Sequence, residues 1–196
     1  MNLPNVLTVC RVVFTFLSVV LLCLNFRLTA SAAFVIFTVA GATDWFDGYI
    51  ARKCGAVTTF GKFMDALSDK IMVVTMFMVL FALNLYGKWI YVALLLAVLS
   101  VTREFFVSGV RMLAAKEGVV LAAEKMGKYK AALQMYSIGA ILCAHAVNMD
   151  FEAPNSPLYM FAFYSGLAAF MLSTVLSVWS GISYGVRYGY LFLKKT

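Results

Sequence analysis

Charged residues are scarce in this sequence. Asp, Glu, Lys and Arg make up 13% of the 196 residues, about half the share found in a soluble domain, whereas 63% are hydrophobic. This composition excludes an ordinary soluble domain and indicates an integral membrane protein. Stretches of about 20 mainly apolar residues can each cross a bilayer. The length leaves room for several such spans in a single membrane domain that covers residues 1–196.

Histidine and cysteine are also rare, which limits the available chemistry. The one histidine, His145, lies in an apolar stretch, so we interpret it as a packed structural residue, and no Ser/His/Asp arrangement surrounds it. The four cysteines form no CxxC pair, and their spacing indicates neither a metal site nor a disulfide framework. Basic residues outnumber acidic ones by 16 to 9. No basic and aromatic pattern of a nucleic-acid-binding module occurs, so we expect these charges to set membrane orientation and to bind headgroups and phosphorylated substrates.

Nearly half of the nine acidic residues lie in one short segment: Asp44, Asp47, Asp65 and Asp69. A carboxylate at membrane depth is costly and by default marks a functional site. At about 100° per residue, Asp44, Asp47 and Gly48 share one face of a helix, while Gly61, Asp65 and Asp69 share one face of another. Two antiparallel helices joined by a turn would direct both pairs of carboxylates at the same gap.

Carboxylates that share such a gap cannot all stay ionised without cations. Hard divalent ions bind oxygen ligands, and Mg²⁺ readily shares its coordination shell with substrate phosphates. We therefore predict a site for Mg²⁺ or Mn²⁺ here. Gly48 and Gly61 add no side-chain bulk, so a ligand can approach the backbone closely at both positions.

The spacing D-x-x-D-G-x-x-A-R-x8-G-x-x-x-D-x-x-x-D runs from Asp44 to Asp69. It resembles the signature of the CDP-alcohol phosphotransferases. The resemblance implies a homodimer that transfers the phosphatidyl group of CDP-diacylglycerol to an alcohol and releases CMP. It further implies two divalent ions held by the four aspartates, with Asp69 also acting as the base. By the same resemblance, the CDP-lipid would be bound by Gly48, Arg52, Thr58, Gly61, Asn5 and Thr8.

A second charged cluster occurs in the run TREFFVSGVR at residues 102–111. The planar fork of arginine suits phosphate oxygens, and lysine adds a point charge. We therefore predict that Arg103, Arg111 and Lys128 bind a phosphate group on the acceptor. The run R-E-F-x-V-S-G-x-R, followed by G-K-x-K and Gln134, resembles the branch of the family whose acceptor is sn-glycerol 3-phosphate and whose product is phosphatidylglycerophosphate.

The predicted fold is all-α, with about six transmembrane helices and a short interfacial helix at residues 1–11. The expected spans are residues 9–26, 31–52, 61–85, 89–113, 126–148 and part of 158–192. The last stretch is longer than one span needs, so three alternatives are open: a tilt, a break near Gly181 or Gly185, or a continuation along the surface. Basic residues are concentrated in alternate loops and at the C-terminus. By the positive-inside rule, this places the aspartate motif and both termini on the cytoplasmic side of a bacterial cytoplasmic membrane.

Several alternatives remain open at this point. Within the same family, the acceptor could be that of a phosphatidylserine, cardiolipin or inositol-phosphate lipid synthase. A polytopic prenyltransferase also uses aspartate-rich motifs with Mg²⁺, but its motifs are usually far apart, whereas here both lie within 26 residues. A proton-coupled transporter would show inverted repeats or interrupted helix pairs in matching halves, and the sequence has none.

Overall fold

A computed structural model of the chain describes residues 3–24, 26–54, 59–116 and 125–188. Within these ranges, the described side chains exclude those of residues 3–7, 44–54, 59–60, 62–63, 65, 116 and 125. The described part is helical, which confirms the predicted all-α class. Its helices are α1 (Leu3–Cys23), α2 (Thr29–Cys54), α3 (Thr59–Ala82), α4 (Ile90–Lys116), α5 (Lys125–Phe151) and α6 (Pro157–Tyr188), and a 3₁₀ turn, Gly87–Trp89, leads into α4.

The N-terminal segment does not form the separate interfacial helix that the sequence suggested. Residues 3–11 are instead the first turns of the continuous helix α1. Pro4 lies in the first helical turn, where its missing N–H removes no helical hydrogen bond. No further proline or glycine occurs before Cys23, so nothing in the chain separates the two parts.

Three helical segments, Gly87–Ala115, Met126–Phe151 and Pro157–Tyr188, are long and apolar enough to cross a membrane. The apolar parts of α1 and α2, Thr8–Cys23 and Thr29–Thr43, are shorter. In α2 the apolar stretch stops where the aspartate motif begins, since Asp44 follows Thr43 directly. These segments agree with a polytopic membrane protein, and the total of six spans stays a prediction.

Helix α6 is continuous over 32 residues, so of the three alternatives for this stretch the break at Gly181 or Gly185 does not occur. Ser156 caps its start, because the Ser156 hydroxyl accepts a hydrogen bond from the Tyr159 N–H at 3.1 Å. At 1.5 Å per residue the helix is roughly 48 Å long, which exceeds the ~30 Å hydrocarbon core. One end of α6 therefore reaches beyond the core, unless the helix is steeply tilted.

Most of the helix packing involves α5 or α1. Helix α5 packs against α6 and α2, α1 packs against α2 and α3, and α4 packs along α6. The main core is apolar and includes Phe37, Met76, Leu80, Ile138 and Phe170. A smaller core of Val107, Val110 and Tyr184 joins the C-terminal parts of α4 and α6.

Two features of burial differ from those of a soluble protein. Large apolar side chains such as Tyr91, Leu95 and Trp179 are exposed, at 82%, 61% and 66% of their surface. Charged side chains are buried instead, with Arg11 at 0% and Lys130 at 4%. Large exposed apolar surface is rare on soluble monomers, and charged residues in membrane segments face the bundle interior. The described part of the chain is thus that of a membrane protein.

Candidate active site

Both halves of the aspartate motif lie on helices, as their spacing predicted. Asp44, Asp47, Gly48 and Arg52 occupy the C-terminal turns of α2, and Gly61, Asp65 and Asp69 occupy the N-terminal turns of α3. Because α2 ends at Cys54 and α3 begins at Thr59, these helix ends are at most roughly 18 Å apart along the chain. The two halves therefore lie at the same end of the bundle. The side chains of Asn5, Asp44, Asp47, Arg52 and Asp65, and the whole of Thr58, lie outside the described residues.

Asp69 is held by a buried arginine from the first helix. The Arg11 guanidinium donates a hydrogen bond from Nη1 to Asp69 Oδ1 at 2.7 Å and another to Ser68 Oγ at 3.1 Å. The Arg11 side chain is fully buried, whereas that of Asp69 is 57% exposed. The carboxylate is thus bound to the arginine through Oδ1, and more than half of its side-chain surface is exposed. Thr8, one turn before Arg11 on α1, is also buried.

Lys70 links the aspartate motif to α4. Its Nζ donates a hydrogen bond to Ser108 Oγ at 2.7 Å, and Ser108 in turn donates to the Glu104 carbonyl oxygen at 2.7 Å. Since Lys70 directly follows Asp69 in the chain, this contact brings the charged run of α4 next to the motif. The two clusters that the sequence predicted separately are therefore neighbours.

Glu104 lies at the centre of the second cluster. Its Oε1 atom forms an ion pair with Lys130 Nζ and a longer one with Arg103 Nη1, at 3.4 Å. The positive charges of Arg103 and Lys70 both act on Lys130, and that of Arg111 acts on Lys70. Two cations thus pair with one carboxylate, and Lys70 and Arg111 add further positive charge to the cluster. The surplus of positive charge favours binding of a multiply charged anion.

The two arginines of α4 are held by the last helix. Arg103 Nη2 donates to Ser180 Oγ at 2.7 Å, and Arg111 Nη2 donates to Tyr184 Oη at 3.2 Å. The Tyr184 ring also lies under the Arg111 guanidinium, with 5.5 Å between Cζ and the ring centroid. Arginine next to an aromatic face is stabilised by the ring quadrupole.

Comparison with known proteins identifies the family. The family described as CDP-alcohol phosphatidyltransferase matches residues 1–179. The chain belongs to this family. It is also similar to proteins named CDP-diacylglycerol–glycerol-3-phosphate 3-phosphatidyltransferase from three bacteria. Identity is 33% for Bacillus subtilis, 32% for Escherichia coli and 31% for Haemophilus influenzae. Each alignment covers 93% of this chain and 94%, 92% and 91% of the respective relative.

Of the predicted acceptor residues in this family member, Arg103 and Arg111 lie in the cluster and Lys128 does not. Lys128 is exposed and forms no ion pair or hydrogen bond among the described residues, whereas Lys130 is buried against Glu104. Residues two positions apart in a helix are separated by about 200° around its axis. Lys128 and Lys130 therefore point to nearly opposite sides of α5, and Lys130 is the one that reaches Glu104.

Five residues that the sequence analysis left out of the site belong to it. Arg11, Lys130, Ser180 and Tyr184 contact its charged groups, and Lys70 contacts Ser108. Arg11 and Lys130 carried a signal, because a charged residue within an apolar helix is itself unusual. Ser180 and Tyr184 carried none, since a serine and a tyrosine in an apolar helix are ordinary. Only the contact between α4 and α6 reveals them.

Proposed function

We propose that the protein transfers the phosphatidyl group of CDP-diacylglycerol to sn-glycerol 3-phosphate and releases CMP and phosphatidylglycerophosphate. The observation that carries the proposal is the contact between Lys70 and Ser108, which joins the aspartate motif to a cationic cluster. A donor pyrophosphate at the motif and an acceptor phosphate at the cluster would then be neighbours. The printed names of the relatives from three bacteria support the same reaction.

The acceptor phosphate carries about −1.5 to −2 charges at neutral pH, by analogy with phosphoserine. We propose that Arg103, Arg111 and Lys130 bind this phosphate. Lys130 takes the place of Lys128, which was the residue predicted from the sequence. A neutral alcohol such as serine would not require several cations beside a donor site that already holds metal ions. This charge argument favours glycerol 3-phosphate over the acceptors of other members of the family.

In the reaction, the acceptor hydroxyl oxygen attacks the phosphatidyl phosphorus, and the bond from that phosphorus to the CMP oxygen breaks. Asp69 takes the hydroxyl proton as general base, while Arg11 fixes the orientation of its carboxylate. Gly48, Arg52, Thr58, Gly61, Asn5 and Thr8 are proposed to bind the CDP-lipid. Release of CMP and a proton balances the transfer.

Two divalent ions, Mg²⁺ or Mn²⁺, are proposed at the four aspartates. The donor set consists of hard carboxylate oxygens, and the described member, Asp69, keeps more than half of its side chain exposed. The residues thus fit such ions. Asp44, Asp47, Asp65 and Asp69 would hold them, and bound ions would stabilise charge on the pyrophosphate.

We place the protein in the bacterial cytoplasmic membrane, with the active site and both termini on the cytoplasmic side, and as a homodimer. The distribution of basic residues supports the orientation. Cysteine labelling in intact cells tests it with an impermeant reagent. A cysteine at position 152 should react, and one at position 62 should not. The opposite pattern would contradict the orientation.

Purified protein tests the reaction directly. CMP release from CDP-diacylglycerol should require Mg²⁺ or Mn²⁺ and glycerol 3-phosphate, and a chelator should abolish it. Unphosphorylated glycerol, serine and inositol phosphate serve as competing acceptors in parallel assays. If one of these supports CMP release as well as glycerol 3-phosphate does, the proposed acceptor is wrong although the family is correct.

A further inference from the structure

We propose that Ser180, Gly181 and Tyr184 of α6 are positioning residues that orient Arg103 and Arg111 for the acceptor phosphate. We call these three residues the α6 cradle. The proposal rests on the proposed function, in which the two arginines bind that phosphate. Helix α6 contains neither the aspartate motif nor the basic run, so the proposal adds a further helix to the site.

Ser180 fixes the plane of the Arg103 guanidinium. Ser180 Oγ is buried and accepts from Nη2 at 2.7 Å, while Glu104 is paired with Nη1 at 3.4 Å. Two partners at the two ends of a planar fork define its orientation. A fork that is already oriented loses less entropy when it binds a phosphate in a bidentate way.

Gly181 lets the aliphatic part of Arg103 cross α6. A Cβ atom at position 181 would lie 2.8 Å from Arg103 Cγ, which is too close for two carbon atoms in contact. Cγ lies near the root of the side chain, so relief of this contact would move the whole guanidinium. Glycine at this position is therefore tied to the path of Arg103.

Tyr184 holds Arg111, whose own side chain is exposed. The Tyr184 side chain is buried at 1% exposure and packs with Val107 and Val110. Its hydroxyl and its ring both contact the Arg111 guanidinium. Because an exposed arginine otherwise samples many rotamers, a rigid buried tyrosine would reduce the entropy lost when Arg111 binds the acceptor.

The same two helices contain a contact that involves no arginine and provides a control. Ser100 of α4 and Thr174 of α6 share a buried hydrogen bond at 3.0 Å. It joins α4 to α6 as the cradle does but touches neither Arg103 nor Arg111. If the cradle only held the helices together, loss of this bond would have the same consequences as loss of a cradle bond.

Steady-state kinetics of the full-length enzyme in detergent micelles test the proposal. Ser180→Ala, Tyr184→Phe and Gly181→Ala should each raise the KM for glycerol 3-phosphate about 10-fold, the lower range for one hydrogen bond to a charged group. The KM for CDP-diacylglycerol should stay within about twofold, since these residues act only on the acceptor arginines. Tyr184→Leu, which also removes the ring, should have a larger effect than Tyr184→Phe.

Two matched variants separate positioning from packing. Thr174→Val removes a buried hydroxyl from the same helix, and Gly185→Ala adds a methyl group that lies 3.7 Å from Phe106 Cζ, an ordinary contact distance. Both should keep the wild-type KM for glycerol 3-phosphate, whatever their thermal stability. The proposal is overturned if the cradle variants keep the wild-type KM, or if the control variants raise it equally. Wild-type enzyme that does not use glycerol 3-phosphate would instead overturn the proposed function, and with it the phosphate assigned to the arginines.

Discussion

Mutations of Arg11 and Asp69 can separate the contribution of this ion pair to stability from its contribution to the reaction rate. Arg11 is completely buried, and its Nη1 atom lies 2.7 Å from Asp69 Oδ1, while the Asp69 side chain is 57% exposed. Removing the carboxylate therefore takes a partner from a buried cation. Removing the cation leaves a carboxylate that water can reach. The two halves of this pair should respond very differently to mutation.

For Asp69→Ala we expect a loss of about 1.5–3 kcal/mol of stability, the range for a hydrogen bond to a charged group. This is below the 3–5 kcal/mol typical of a fully buried broken pair, since water reaches Asp69. Asp69→Asn keeps an oxygen that can accept from Arg11, so its cost should be about 1 kcal/mol or less. Both variants should lose at least about 10²-fold in rate, because neither supplies a carboxylate base.

Arg11→Met should reverse this pattern. It replaces a buried cation with an apolar side chain, so stability should change by less than about 1 kcal/mol. The rate of CMP release should fall about 10- to 100-fold, the scale seen when the partner that orients a ligand residue is removed. Arg11→Lys should lie between Met and wild type, because a single ammonium group lacks the fork that contacts Ser68 and Asp69 together.

Two measurements on the same preparations test these expectations: thermal denaturation in micelles and the rate of CMP release. Equal melting temperatures for Asp69→Ala and Asp69→Asn would show that Arg11 does not depend on this acceptor. Wild-type activity in Arg11→Met would show that orientation of the Asp69 carboxylate is irrelevant. Either result would refute the reasoning.

Three further predictions concern other parts of the molecule. Asp→Asn at each of the three other motif positions, 44, 47 and 65, should reduce CMP release at least about 10²-fold, and full activity of the variant at 65 in chelator would contradict the metal proposal. Lys130→Ala should raise the KM for glycerol 3-phosphate more than Lys128→Ala, because only Lys130 lies in the cluster. The reverse order would support Lys128, the acceptor residue predicted from the sequence. Asp150→Ala should lower the melting temperature, with about 0.5–2 kcal/mol lost, and leave both KM values unchanged. The Asp150 carboxylate accepts hydrogen bonds from the backbone N–H groups of Leu28 and Ser31, at 3.0 and 2.6 Å, at the start of α2, so a kinetic effect without destabilisation would contradict this purely structural role.

The sequence alone was sufficient wherever one helix determines the outcome. Low charge and long apolar stretches predicted a helical membrane protein, and the aspartate motif predicted that both of its halves are helical and indicated the family. These properties are local, because the 3.6-residue period fixes which side chains share a face before any helix packs. The exception was the N-terminus. Its few polar residues suggested a separate surface helix, but helix α1 continues where the chain contains no breaker.

Tertiary structure alone decided which faces meet. Asp69 finds its partner 58 residues away in α1, and Arg103 and Arg111 find theirs 77 and 73 residues away in α6. The choice of Lys130 over Lys128 likewise depends on the side of α5 that packs toward Glu104. A helical period gives the relative angle of two side chains, whereas the helix that lies opposite is set by packing between distant segments. For this reason the aspartate motif could be identified from the sequence, whereas the α6 cradle could not.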